Sequence, residues 1–246
     1  MHLVLVPAVL SILIPTTFTL SQDCHPDWIK CDCSEEEIGS RTIKTMSCSY
    51  SAFSSLSTTL SFSTLPQLPA DITELQFDRI TLPTIGNNSF AGLTNLQVLA
   101  LDFCDIENIE ILAFSQLRNL KELNLQNNRI KNLPDLIFAE LTRCVTLFGK
   151  EQNFSIPEKL FQMNPQLLTL TLTENKISYL HADIFNVTLG LEQLYIEENL
   201  LSTLSEVVFS HLFDLKLISL KGNKFVCDCN IAGFVYGHQL LGAVER

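Results

Sequence analysis

The sequence predicts an α/β solenoid. It is a horseshoe with a parallel β-sheet on its concave side, irregular or short-helical segments on its convex side, and a disulfide-closed N-terminal cap. Three observations predict it. First, the pattern L-x-x-L-x-L-x-x-N-x-I, read at Leu120, Leu123, Leu125, Asn128 and Ile130, recurs on both sides of that stretch. Its first position falls at Ile72, Leu96, Leu120, Cys144, Leu167, Leu191 and Leu215, a step of 24 residues shortened once to 23. Second, a phenylalanine near the nineteenth position recurs at Phe90, Phe114, Phe138, Phe161, Phe185 and Phe209. Third, Cys24, Cys31, Cys33 and Cys48 cluster just before the first copy.

In chain order, residues 1–21 carry an apolar run from Leu3 to Ile14 followed by small and hydroxyl residues, and read as a signal peptide cleaved after Ser21. The run is too short to span a bilayer comfortably, and the sequence shows no other candidate span. Residues 22–70 form the cysteine-rich cap and a Ser/Thr-rich entry, in which Pro66 and Pro69 favour extended backbone leading into the first strand. The four thiols either pair oxidatively or, with His25, hold zinc.

Residues 71–225 comprise seven repeats. Each supplies one short strand whose two inward apolar residues, Leu123 and Leu125 in the middle copy, are covered only when the next repeat stacks on it. By the alternation of a strand, Glu122, Asn124 and Gln126 face the concave side. The ninth position is expected to turn the chain out of the strand, its buried side chain bonding to neighbouring backbone groups. That ladder reads Ile80, Cys104, Asn128, Gln152, Asn175, Asn199 and Asn223. The fourth copy is irregular: Gly149 occupies an inward Leu position. A one-residue slip would carry Phe148 from the concave face into the core, so the sequence leaves its placement open. Cys104 and Cys144, about two strands apart, lie beyond disulfide reach and are expected as buried free thiols.

Concave binding candidates follow from side-chain type. Phe103 is large, apolar and outward, and either offers a contact or folds over a neighbouring strand. Gln126 and Phe148 flank the middle of the sheet. Tyr195 beside Glu197 and Glu198 suits a protein or cationic surface. Thr169, Thr171 and Thr173 face the same side in the fifth copy.

Composition narrows the function classes. With 246 residues and 46% hydrophobic content the chain supports a sizeable core. A formal net charge of −11 and the lack of basic clusters disfavour nucleic acid held through its phosphates. No nucleophile–base pair, catalytic carboxylate pair or metal spacing outside the caps stands out, so neither an enzyme nor a cofactor is expected. His25, His181, His211 and His238 read as ordinary surface or packing residues. In an exported chain the sequons at Asn87, Asn153 and Asn186 are glycan sites on the loop and convex side, leaving the concave or lateral face for partners.

Residues 226–246 open with GNKFVCDCN leading in, but the later cysteines of a complete C-terminal cap do not follow Cys227 and Cys229. The cap cysteines, the F-x-x-L-x-x-L repeat ends and the CDC entry make the chain resemble extracellular leucine-rich-repeat proteins. The irregular repeat and the GNKFVCDCNIAGF ending make it similar to Toll-like receptor ectodomains in particular. The resemblance implies cap pairing of Cys24 with Cys33 and Cys31 with Cys48. It also implies recognition of a protein or microbial ligand, and receptor homo- or heterodimerisation. The expected role is a secreted or truncated recognition module, such as a soluble decoy or co-receptor. Matrix or cell-adhesion function is the alternative.

Overall fold

The computed structural model describes residues 29–50, 68–149 and 156–226. The expected leader, Cys24, the Ser/Thr-rich entry, Asn153 and the 227–246 segment lie outside the described residues. A single sheet of nine strands organises the rest, in the order β1-β2-β3-β5-β7-β8-β9-β10-β11. β1 (Ile29–Ile38) and β2 (Arg41–Tyr50) form an antiparallel hairpin. β2 then pairs in parallel with β3 (Glu74–Asp78), the first repeat strand. Parallel pairing continues through β5 (Val98–Ala100), β7 (Glu122–Asn124), β8 (Thr146–Phe148), β9 (Thr169–Thr171), β10 (Gln193–Tyr195) and β11 (Leu217–Ser219). β4 (Thr84–Ile85) and β6 (Asn108–Ile109) pair separately behind the first two repeats.

The short strands follow from the repeat. In β5, β7, β9, β10 and β11 a buried leucine or isoleucine sits between two partly exposed residues, as in Glu122-Leu123-Asn124 and Gln193-Leu194-Tyr195. The register aligns Leu75, Leu99, Leu123, Leu147, Leu170, Leu194 and Ile218, so every repeat hands its apolar residue to the next. Behind them the phenylalanines stack from Phe90 to Phe209, successive ring centroids lying 6.0–6.5 Å apart. Stacked contacts of this kind add to the burial of each ring. The convex side is built from turns. Among the described residues its helical content is one 3-10 segment, Glu206–Phe209.

The asparagine ladder does what its spacing predicts. Asn128 is buried, accepts N–H bonds from Cys104 and Ile106 at 3.0 Å, and donates to the carbonyls of Leu101, Leu125 and Gln126 at 2.7–3.1 Å. Asn175, Asn199 and Asn223 donate to the preceding repeat's carbonyls in the same way. At Cys104 the thiol takes over that role, donating to Phe77 O at 3.4 Å. The turn itself lies one residue earlier than expected. Arg79, Phe103, Asn127, Glu174 and Glu198 all have φ between 50° and 58°, with Gly222 at 73°. The eighth position reverses the backbone, and the ninth fastens it.

In the fourth repeat, Leu147 lies opposite Leu123 and Leu170, and Phe148 is in register with Asn124 and Thr171. The strand has not slipped: Leu147 holds the buried position. Gly149 is buried, donates to Thr171 O and accepts from Asn175 Nδ2. Thr173, expected on the open face, is instead buried.

Candidate functional site

The hairpin and the seven repeat strands form one continuous surface, and the left-handed turns form its rim. Phe103 stands on that rim at φ 55° with 48% of its surface exposed. The Arg79 guanidinium, one repeat back, lies 5.8 Å from its ring centroid, within cation–π range. The ring therefore packs beside a cation and stays open to solvent. A non-glycine residue in the left-handed region costs roughly 1–2 kcal/mol.

Gln126 is half-buried. Its backbone N–H is fixed by Asn124 Oδ1 at 2.9 Å and its carbonyl accepts from Phe103 N, which ties these candidates into one segment. Phe148 is placed by its backbone register two strands from β10. Tyr195 is half-buried, its hydroxyl donating to Gln193 Oε1 at 3.3 Å. Glu197 accepts a short hydrogen bond from Ser219 Oγ, whereas Glu198 is exposed at a left-handed turn. The candidates thus split into a Phe103–Gln126 group near the second and third repeats and a Tyr195–Glu198 group near the sixth.

Asn87 and Asn186 are both exposed, away from the sheet. Asn87 Oδ1 accepts from Leu112 N at 2.9 Å, and Asn186 Nδ2 donates to Asp183 Oδ1 at 2.8 Å. In the cap, Cys31 and Cys48 face each other across the hairpin and are disulfide-bonded. Cys33 is a partly buried thiol, pushed up in pKa by burial and by the neighbouring Asp32. Cys104 and Cys144 are buried free thiols, and burial pushes both up to about 12.

Two clusters were not legible beforehand. His181, Glu158 and Asp183 come together on the surface. There His181 Nδ1 accepts the Asp183 N–H at 3.2 Å, and Nε2 faces Glu158 at 3.5 Å. The ring is already engaged on both nitrogens. The other cluster gathers cations from distant parts of the sequence at the sheet edge where the strands begin.

A parallel sheet of short strands, closed by an asparagine ladder and a phenylalanine stack, defines a leucine-rich-repeat solenoid. The chain belongs to the leucine-rich-repeat family: the model for the BspA type Leucine rich repeat region matches in six copies over residues 83–216. Bovine Osteomodulin is 25% identical over 210 residues, covering 70% of this chain and 49% of its own length. Pig Fibromodulin is 30% identical over 128 residues, 51% of this chain and 84% of that sequence. Toll-like receptor 2 of Bos taurus is 29% identical over 125 residues, 51% of this chain and 15% of the receptor. The chain thus spans about half the length of the osteomodulins and a smaller part of the receptors. Among solved structures, a TLR13-ssRNA13 complex is similar at TM-score 0.60 and 28% identity, covering 64% of this chain and 22% of that one. The APL1 leucine-rich repeat domain shares the fold at TM-score 0.59 and 22% identity, over 63% of this chain and 40% of its own. This is a leucine-rich-repeat protein resembling Toll-like receptor ectodomains, related also to Osteomodulin and Fibromodulin.

Proposed function

We propose that the chain is an exported recognition module of innate-immune receptor type, binding a protein or microbial ligand through its concave face and rim. It acts as a soluble decoy or co-receptor, or as part of a receptor that pairs with a second ectodomain. Phe103 carries this reading. An exposed aromatic residue is held in a backbone conformation that disfavours it, beside Arg79, on the rim of a rigid sheet. Packing gains little from an exposed ring, whereas aromatic and arginine side chains dominate binding energy at protein interfaces. Tyr195, with Glu197 and Glu198, supplies a second anchor, and Gln126 and Phe148 lie between.

The same reading gives the chain a leader over residues 1–21, glycans on Asn87, Asn153 and Asn186, and a Cys24–Cys33 bond in the cap. Non-reducing peptide mapping of the secreted protein is expected to link Cys24 to Cys33. A different partner for Cys33 overturns that pairing.

The test of the site is a binding screen of the secreted chain against microbial cell-wall fractions and receptor ectodomains. Wild type is compared with Phe103→Ala/Tyr195→Ala. A ligand that loses at least about tenfold in affinity on the double variant, at unchanged thermal midpoint, supports the reading. Equal loss of stability makes both residues structural. The kinship with Osteomodulin and Fibromodulin supports a second reading, a matrix protein, for which fibrillar collagen is the probe. Binding to collagen that survives the double variant favours that role.

A further inference from the structure

The hairpin does not end level with the sheet. β2 pairs with β3 only from Thr45 to Ser49, so Arg41–Lys44 runs past the point where β3 begins. Lys44 and Thr73 lock that overhang: Lys44 N donates to Thr73 Oγ1 at 2.8 Å and Thr73 N to Lys44 O at 2.9 Å. The overhang forms one wall of a cleft of about 750 Å³, floored by the residues that precede β3, β5, β7 and β8. Four cations line it, Arg41, Lys44, Lys121 and Arg143, against two carboxylates, Asp71 and Glu74.

One of the two carboxylates is ion-paired, and the other is hydrogen-bonded to a hydroxyl. Asp71 holds Lys44 at 2.6 Å, and the hydrogen bond from that lysine keeps the carboxyl below its usual range. Glu74 accepts from Thr45 Oγ1 at 3.0 Å. The other cations have only neutral company. Lys121 donates to Gln97 Oε1 and Arg143 to Asn119 Oδ1, both at 2.7 Å. Among the described residues, no carboxylate lies within ion-pair distance of Arg41, Lys121 or Arg143. In a chain of net charge −11, three exposed cations outside any ion pair, set against the one lining carboxylate, Glu74, that is also outside an ion pair, leave this concavity net positive, a local reversal of sign.

We propose that this edge cleft binds a sulfated oligosaccharide. Arg41 opens β2 and Arg143 precedes β8, four places away in the sheet, about 19 Å at ~4.8 Å per strand. Such a span suits an extended ligand with several oxyanions. Among the described residues, no aromatic side chain lines the cleft, and Ile43 and Val98 are its only large apolar ones. Single-stranded nucleic acid relies on base stacking against aromatic rings, and peptides on buried aromatic or aliphatic anchors. Amides and hydroxyls between fixed cations match sugar hydroxyls and sulfates instead. Guanidinium groups hold such oxyanions through paired N–H donors. The site is separate from the concave rim, so it stands or falls independently of Phe103 and Tyr195.

Fluorescein-labelled dextran sulfate is titrated into the secreted chain, with neutral dextran and poly-L-glutamate in parallel. The cleft variant is Arg41→Gln/Lys121→Gln/Arg143→Gln. The charge-matched control, Lys176→Gln/Lys216→Gln/Lys224→Gln, lies toward the other end of the solenoid. Saturable binding of dextran sulfate is expected, weakened about tenfold or more in the cleft variant and under about twofold in the control. The slope of log affinity against log salt should be shallower in the cleft variant only. Because every altered side chain is exposed, thermal midpoints are expected to match wild type; Arg143→Glu alone provides a second, smaller perturbation. No saturable binding of dextran sulfate overturns the proposal, as does equal loss in both triple variants. Poly-L-glutamate binding as tightly with the same dependence on the cleft cations overturns the sulfated-glycan assignment in favour of an acidic peptide.

Discussion

At the scale of single residues, the ninth position shows how one buried hydrogen-bonding group is chosen. Asparagine supplies both a donor and an acceptor, and Asn128 uses both. Cysteine supplies a weak donor, and Cys104 uses it toward Phe77 O. The substitution carries a pH dependence with it. Burial pushes the Cys104 and Cys144 thiols up to about 12 from an ordinary value of 9.0. Unfolding frees both to ionise near their ordinary values, so the unfolded state gains stability as pH rises above that point. The stability contribution of the neutral thiols is fully present below pH 9 and is lost progressively between about 9 and 12. Urea titrations across that interval should show Cys104→Ala/Cys144→Ala losing stability less steeply than wild type. Parallel slopes would mean that the two thiols ionise as readily in the folded chain as in the unfolded one.

At the scale of the element, the fourth repeat tests what the pattern requires. Three residues before the next repeat begins, four of the other copies place leucine, at Leu93, Leu117, Leu141 and Leu212, and the fifth places a buried threonine, Thr188. Here the corresponding residue is Asn164, buried, with Nδ2 donating to Phe138 O and Leu141 O and Oδ1 without a partner. Those two carbonyls also accept the N–H groups of Leu141 and Cys144, so both stay satisfied without the amide. Asn164→Leu is therefore expected to stabilise the protein, by about 1–2 kcal/mol from removing an unsatisfied acceptor and adding apolar burial. A denaturant midpoint unchanged or lowered would place a bound water or strain at that site. The repeats were legible because leucine, phenylalanine and asparagine recur at fixed steps, and each recurrence names a buried neighbour. The left-handed eighth position was not, because Arg79, Phe103, Asn127, Glu174, Glu198 and Gly222 share no side-chain chemistry. Thr173 was misplaced for a related reason: alternation alone does not say where the strand ends and the turn begins.

At the scale of the whole molecule, the edge cleft was invisible in the sequence because its cations come from a hairpin and from the two ends of the third repeat. Lys121 and Arg143 look like scattered charges until parallel stacking sets them side by side. The hairpin that completes the cleft also shields the first apolar layer, placing Met46 and the Cys31–Cys48 bond beside Leu75 and Phe77. In a linear array each repeat is supported only by its neighbours, so damage at an end propagates inward with diminishing effect. Breaking the bond with Cys31→Ser/Cys48→Ser removes a cross-link over 17 residues, worth roughly 3 kcal/mol. The consequence should be graded along the solenoid. Amide hydrogen exchange is expected to rise most in β3 and β5, less in β7, and least in β10 and β11. Dextran sulfate binding should fall with it, because the overhang carrying Arg41 is held by the same hairpin. Uniform loss of protection across all strands would instead make the solenoid one cooperative unit, in which the cap stabilises the far repeats as much as the near ones.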